Sequence, residues 1–156
     1  RYTWVGTGSS YVPSDLLAAL LDIRLQHTHD TNRRRLRVWH RYHDALEPLE
    51  ALGLLRRPVF HPKASNNGHL YALQVEPVRR DALLQAMRAR GFACTSHFVP
   101  LHTSPFYRER FPERVPHLPL TERVAAGIVR LPLSPQMGAD DADRVVEALR
   151  AVLTAS

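Results

Sequence analysis

The sequence predicts an α+β fold: a small, mostly antiparallel sheet covered by helices and preceded by a helical pair. Three observations predict it. Leucines recur at helical spacing through the first third of the chain. Short apolar runs bounded by turn residues begin only after Gly53. Helical patterns then return between those runs, each interrupted by Gly or Pro. At 156 residues and 44% hydrophobic the chain is long enough to bury one core.

Each element has a local reason. Pro13-Ser14-Asp15 announces the first helix, since Pro is tolerated near a helix start and Ser or Asp side chains accept from free N–H groups there. Leu16, Leu17, Leu20, Leu21 and Leu25 carry it to about residue 27. A second helix is capped by Asp30 or Thr31, follows the same period through Leu36, Trp39, Tyr42, His43 and Leu46, and closes at Pro48 and Gly53. Residues 58–61 and 69–75 read as strands, with Asn66-Asn67-Gly68 as the turn between them. Residues 81–90 read as a helix stopped by Gly91, whose missing Cβ suits a left-handed cap. Residues 92–99 read as a third strand. An irregular Pro- and aromatic-rich stretch follows from Pro100 to Pro119, then a short helix from Thr121, a brief strand over 128–133 and a last helix over 139–153. Residues 1–53 thus form a loop plus helical arm, and residues 54–156 a small α/β domain.

Composition narrows the function classes. The sequence has no run of about 18 apolar residues and does not open on a signal segment, so it reads as cytoplasmic with no membrane partner. A single cysteine, Cys94, excludes an internal disulfide and a cysteine-built zinc site; with Phe92 and Ala93 beside it, it reads as a buried thiol. Net charge is +6 and the pI about 10.2, which invites a nucleic-acid reading. The basic residues, however, are 20 Arg and one Lys, and the dense run Arg33, Arg34, Arg35 and Arg37 spreads around a helix instead of lining one face. It reads as a solvated helix start with one or two ion pairs.

Four features bear on chemistry, each beside a plainer reading. Gly6-Thr-Gly-Ser-Ser10 precedes a helix start, where exposed N–H groups and hydroxyls can seat a phosphate; no Gly-Lys-Ser/Thr follows, so it is not a P-loop, and most such loops are connectors. His97-Phe-Val-Pro-Leu-His102 places two imidazoles at a strand exit, a spacing that argues against chelation, and the site is read as metal-free. Phe106-Tyr-Arg-Glu-Arg-Phe111 can stack on a ring or wrap the loop onto the core. Lys63 is the one residue on which a Schiff base could form.

Taken in order, Tyr2-Thr-Trp4, Gly8-Ser-Ser-Tyr-Val-Pro-Ser-Asp-Leu-Leu-Ala-Ala19, His69-Leu-Tyr71, His97-Phe-Val-Pro-Leu-His102, Tyr107-Arg-Glu109 and Leu131-Pro-Leu-Ser-Pro135 resemble the C-terminal part of the pyridoxal-phosphate-dependent sugar-nucleotide aminotransferases, the DegT/StrS group. Their wording is most similar to the branch that makes the dTDP-4-amino-4,6-dideoxygalactose nucleotide. The resemblance spans essentially the whole chain. It implies the C-terminal small domain of a fold-type I aminotransferase, with residues 1–53 linking to a large domain that carries pyridoxal phosphate on a lysine. Neither that lysine nor the acid facing the pyridine nitrogen has a counterpart here, and Lys63 falls in a loop of the small domain.

The same resemblance implies no catalytic residue in this chain. Ser10, where many members carry Asn, is implied as a ligand of the neighbouring subunit's cofactor phosphate; His102, and second to it His97, are implied as contacts of the nucleotide sugar. The partners implied are a nucleotide sugar such as dTDP-4-keto-6-deoxy-D-glucose, an amino donor such as glutamate, and a second subunit in a homodimer. A start at Arg1 without Met reads as a truncated product that is inactive and cofactor-free alone. Two other classes stay open: a catalytically dead dimerisation or interaction domain of the same fold, and a basic nucleic-acid-binding domain.

Overall fold

The computed structural model describes residues 11–61 and 63–155. Its helices and strands run α1 (Asp15–Gln26), α2 (Thr28–Ala45), α3 (Glu47–Ala51), β1 (Tyr71–Gln74), α4 (Pro77–Ala89), α5 (Pro105–Arg110), α6 (Pro119–Gly127), β2 (Ile128–Leu131) and α7 (Ala139–Thr154). Short 3-10 turns lie at Leu101–Thr103 and Pro112–Arg114. The α+β class holds, with helices packed around a two-stranded antiparallel sheet.

The core follows from side-chain alternation. β1 and β2 pair Tyr71 with Leu131 and Leu73 with Val129, so these four buried side chains share one face of the ribbon. A two-stranded ribbon is marginal by itself and needs a covering layer. Val38, Trp39 and Tyr42 of α2, Leu83 and Met87 of α4, and Val145 and Leu149 of α7 complete the cluster. Each fully buried aliphatic or aromatic side chain contributes about 1.5–3 kcal/mol of burial free energy. Tyr42 is fully buried, yet its hydroxyl donates to the Pro132 carbonyl at 2.7 Å and so ties α2 to the exit of β2. The arm and the region after it therefore share one core through α2.

α1 behaves differently. Ser14 caps it as expected, its hydroxyl accepting from Leu17 N–H at 3.4 Å. No residue of α1 is buried, and Leu16, Leu17, Leu20, Leu21, Ile23 and Leu25 are each 47–80% exposed. These side chains, with Ala18 and Ala19 among them, surround the helix instead of forming one stripe.

Two strand expectations are corrected. Residues 58–61 form no strand: Pro58 brings no N–H to a ladder and Val59 is 94% exposed, so the only pairing nearby is a single Arg56–Gln74 bridge on the outer edge of β1. Residues 92–99 contribute only a Thr95–Arg130 bridge on the outer edge of β2; Phe98 and Val99 face solvent and Pro100 ends the extended path. The Asn66-Asn67-Gly68 turn forms as two side-chain turns, Asn66 Oδ1 accepting from Gly68 N–H at 2.9 Å and Asn67 Oδ1 from His69 N–H at 3.0 Å, but it leads into β1 from an irregular segment.

Other local readings hold. Gly91 ends α4 at φ +84°. Asp30 pairs with Arg33 at 3.6 Å and Arg34 at 2.8 Å, all three exposed. The 106–111 cluster, by contrast, does not wrap onto the core: it forms most of the exposed helix α5, with Tyr107 tilted against Phe111 at 5.2 Å, and none of its six residues is buried. No helix among the described residues is long and apolar enough to cross a membrane.

Candidate functional site

The two histidines of the 97–102 segment end in different places. Pro100 breaks the extended path, and the 3-10 turn that follows is closed by Thr103 N–H and Thr103 Oγ1, both donating to the Pro100 carbonyl at 3.0 and 2.8 Å. Ser104 then caps α5, its hydroxyl accepting from Tyr107 N–H at 3.2 Å. Held at both ends, the turn points His102 inward, where it is 7% exposed. Its Nε2 lies 3.0 Å from Glu122 Oε1 on α6. A carboxylate only accepts, so Nε2 is the nitrogen that carries the proton in this pair.

His97 remains exposed, its ring edge against Phe98 at 5.1 Å. It lines a cleft of about 300 Å³ together with Arg80, Ser96, Phe98, Thr103 and Glu122. His102 is behind this cleft and not on its wall; Glu122 is the residue that joins the two. The floor is set by α6, whose position is fixed at its far end. An ideal Cβ on Gly127 would sit 2.3 Å from the Val75 carbonyl oxygen, while Val75 N–H donates to the Gly127 carbonyl at 2.9 Å. Only glycine allows α6 to approach β1 this closely. On the other side, Arg80 of α4 donates to the Ala125 carbonyl at 3.2 Å and chelates Asp81 Oδ1 with Nε and a terminal nitrogen, both at 2.9 Å.

A larger cleft of about 510 Å³ lies between the 53–59 segment and α6. Two of its cations are already engaged: Arg57 by Glu50 at 2.6 Å and Glu47 at 3.7 Å, and Arg123 by Glu76 at 3.6 Å. Arg57 holds the Glu50 carboxyl below its ordinary range, its backbone N–H donating to it first and its guanidinium second. These are structural ion pairs, and neither predicted histidine reaches this cleft.

Remaining candidates place as follows. Ser10 lies outside the described residues. Lys63 is exposed on an irregular loop, its backbone N–H donating to His61 Nδ1 at 3.2 Å. Cys94 is buried, which pushes its thiol up to about 11, so it is protonated and unreactive at neutral pH. Among the described residues no group of three or more His, Cys, Asp or Glu is arranged to hold a metal ion. Glu122 was not anticipated from the sequence. In Pro119-Leu-Thr-Glu122 it reads as a first-turn acid complementing the helix dipole, and only the fold brings it across 20 residues to His102.

The model of the DegT/DnrJ/EryC1/StrS aminotransferase family matches residues 1–150. The chain belongs to this family. Solved structures agree in fold. The aminotransferase TlmJ from Streptoalloteichus hindustanus superposes with a TM-score of 0.81 at 25% identity, over 99% of this chain and 40% of that one. S. venezuelae DesV, solved in complex with a ketimine intermediate, gives 0.75 at 33% identity over 87% of this chain and 35% of that one. NtdA from Bacillus subtilis, solved with bound cofactor PMP, gives 0.69 at 23% identity over 80% and 28%, a likeness of fold alone. The chain thus spans less than half the length of each of these three proteins.

Proposed function

We propose that this chain is the C-terminal portion of an enzyme that moves an amino group from an amino acid, glutamate in our reading, to a keto-deoxy sugar nucleotide such as dTDP-4-keto-6-deoxy-D-glucose. The observation that carries the reading is the family match over residues 1–150. Within it, residues 1–53 act as the arm to a lysine-bearing domain and residues 54–156 as the wall of the sugar site. The branch closest in wording makes the 4-amino-4,6-dideoxygalactose nucleotide, a step in polysaccharide biosynthesis placed in the cytoplasm. The working unit is a homodimer, in which the Ser10 hydroxyl donates to the partner's cofactor phosphate.

Pyridoxal phosphate supplies the electron sink of such a transamination when it is bound. The described residues do not fit it. Lys63 is exposed on a loop with nothing to keep water from an imine, and it makes no ion pair among the described residues. We therefore assign the cofactor to polypeptide beyond these residues and no step to Lys63. What this chain contributes is binding and orientation of the sugar.

One observation favours a second reading, a catalytically inactive dimerisation domain of the same fold: α1 presents aliphatic side chains on all sides with none buried. Mass spectrometry of the native polypeptide separates the two. A longer chain with a lysine-bearing N-terminal domain supports the enzyme; a native start at Arg1 supports the second reading. Mixed with pyridoxal phosphate, the 156-residue chain is expected to show no aldimine absorbance, and a stoichiometric borohydride-trapped adduct at Lys63 would overturn the assignment.

A further inference from the structure

We infer that Glu122, and not the buried His102, is the group in the 300 Å³ cleft that binds the hydroxyls of the sugar, with His102 as its positioning residue and Phe98 as its platform. The inference rests on the sugar-nucleotide reading above and deepens it by naming the contact.

Accessibility decides between the residues of the pair. The Glu122 side chain is 47% exposed and lines the cleft, whereas the His102 side chain is 8% exposed and does not. His102 Nε2 is committed to Glu122 Oε1 and the side chain is not part of the cleft wall, so it acts on the cleft through that carboxyl group. Among the described residues the hydrogen bond engages one oxygen and leaves Oε2 free to accept, and an acceptor-only group calls for a ligand that donates. Hydroxyls and ammonium groups both donate. The walls choose between them: Phe98, 81% exposed, stands with Val99, Pro100, Ala125 and Ala126 around the same space. An apolar wall beside a single fixed carboxylate suits a pyranose, which has C–H faces to lay on a ring and hydroxyls at its edge, better than it suits a compact zwitterion.

The cleft is also unsuited to phosphate. Its one guanidinium, Arg80, is spent on Asp81 and the Ala125 carbonyl, and Glu122 adds a repelling charge. The volume, at the lower limit of ordinary ligand pockets, admits one ring. So the sugar enters here and the diphosphate stays outside.

The test is protein-observed NMR on the 156-residue chain with dTDP-glucose, dTDP and L-glutamate as separate probes. Expected are shifts at Ser96, Phe98, Ala125 and Ala126 with dTDP-glucose that dTDP does not produce. Glu122→Gln should weaken the dTDP-glucose affinity about tenfold, the scale of one hydrogen bond to a charged group. His102→Ala should weaken it similarly, and His102→Gln, which keeps an N–H donor for Glu122, should restore most of it; a purely structural His102 would show no such rescue at equal thermal stability. Equal shifts with dTDP, cleft shifts with L-glutamate, an unchanged affinity in a folded Glu122→Gln variant, or no shift with any probe would each overturn the inference. None of these touches the amino-transfer reading, which stands or falls on transfer of label to the sugar nucleotide.

Discussion

Replacing Gly127 with alanine should destabilise the part of the molecule that carries the cleft. On an ordinary helix the change gains about 0.5–1 kcal/mol, because Ala loses less backbone entropy than Gly. Here the new Cβ would stand 2.3 Å from the Val75 carbonyl oxygen, against ordinary contacts of 3.4–4 Å, and the obstacle is backbone with no side chain to swing aside. Either α6 or β1 must move by about an ångström. Overpacking of this kind costs about 1–3 kcal/mol. Separating the elements also strains the 2.9 Å hydrogen bond from Val75 N–H to the Gly127 carbonyl, worth about 0.5–1.5 kcal/mol. Set against the propensity gain, the net expected loss is about 1–3 kcal/mol. Urea unfolding followed by far-UV circular dichroism measures it, at unchanged slope if the denatured state is unaffected. A Gly127→Ala variant as stable as the parent, or more so, would show that α6 does not depend on this approach and would refute the account of how Glu122 is placed.

Further outcomes follow from the same contacts. Tyr42→Phe removes the donor to the Pro132 carbonyl inside a fully buried site and should cost about 1–3 kcal/mol, read by the urea midpoint; a loss under a few tenths would mean the carbonyl finds another partner. His43, half-buried against Trp39 at 4.8 Å, is held below its ordinary range by burial first and by Arg57 second. The unfolded chain then takes up this proton at a higher pH than the fold does. Its contribution is fully present above about pH 6.5 and is lost as pH falls through the lowered folded value. His43→Gln should flatten the fall in Tm between pH 7 and 5, and parallel curves for the two proteins would contradict this. α1, lacking any buried residue, should exchange its amide hydrogens orders of magnitude faster than α2 or α7 in the 156-residue chain. Strong protection there would mean that a second copy covers it.

How much of this was legible in the sequence depends on how local the signal is. Ser14 and Gly91 do what their types predict because the relevant contacts lie within a turn, whereas the cap expected at Asp30 or Thr31 does not form: α2 already starts at Thr28, and no side chain among the described residues caps it. The leucines of α1 announce a helix correctly, but their spacing could not tell that the chain leaves them all uncovered, since burial depends on what packs there. Strand pairing is non-local: residues 58–61 form no bridge, the nearby one being made by Arg56, and residues 92–99 form one, at Thr95. The buried thiol of Cys94 was legible from its apolar neighbours. In the candidate site, His97 and His102 drew attention as a pair at a strand exit; His97 lies on the cleft wall, and His102 meets the cleft only as the partner of Glu122. Glu122 escaped notice because an acid in the first turn of a helix has an ordinary explanation, and its approach to His102 is made by the packing of α6 against the 97–104 segment.

Amino transfer is the measurement closest to the central claim. [15N]Glutamate and dTDP-4-keto-6-deoxy-D-glucose would be incubated with pyridoxal phosphate and either the polypeptide purified from its native source or the 156-residue chain, and the nucleotide sugar analysed by mass spectrometry. The account predicts label in the sugar with a native polypeptide that carries a lysine-bearing domain, and none with the 156 residues alone. Label transferred by the 156-residue chain itself, or none by such a longer native polypeptide with any keto-sugar nucleotide, would contradict it.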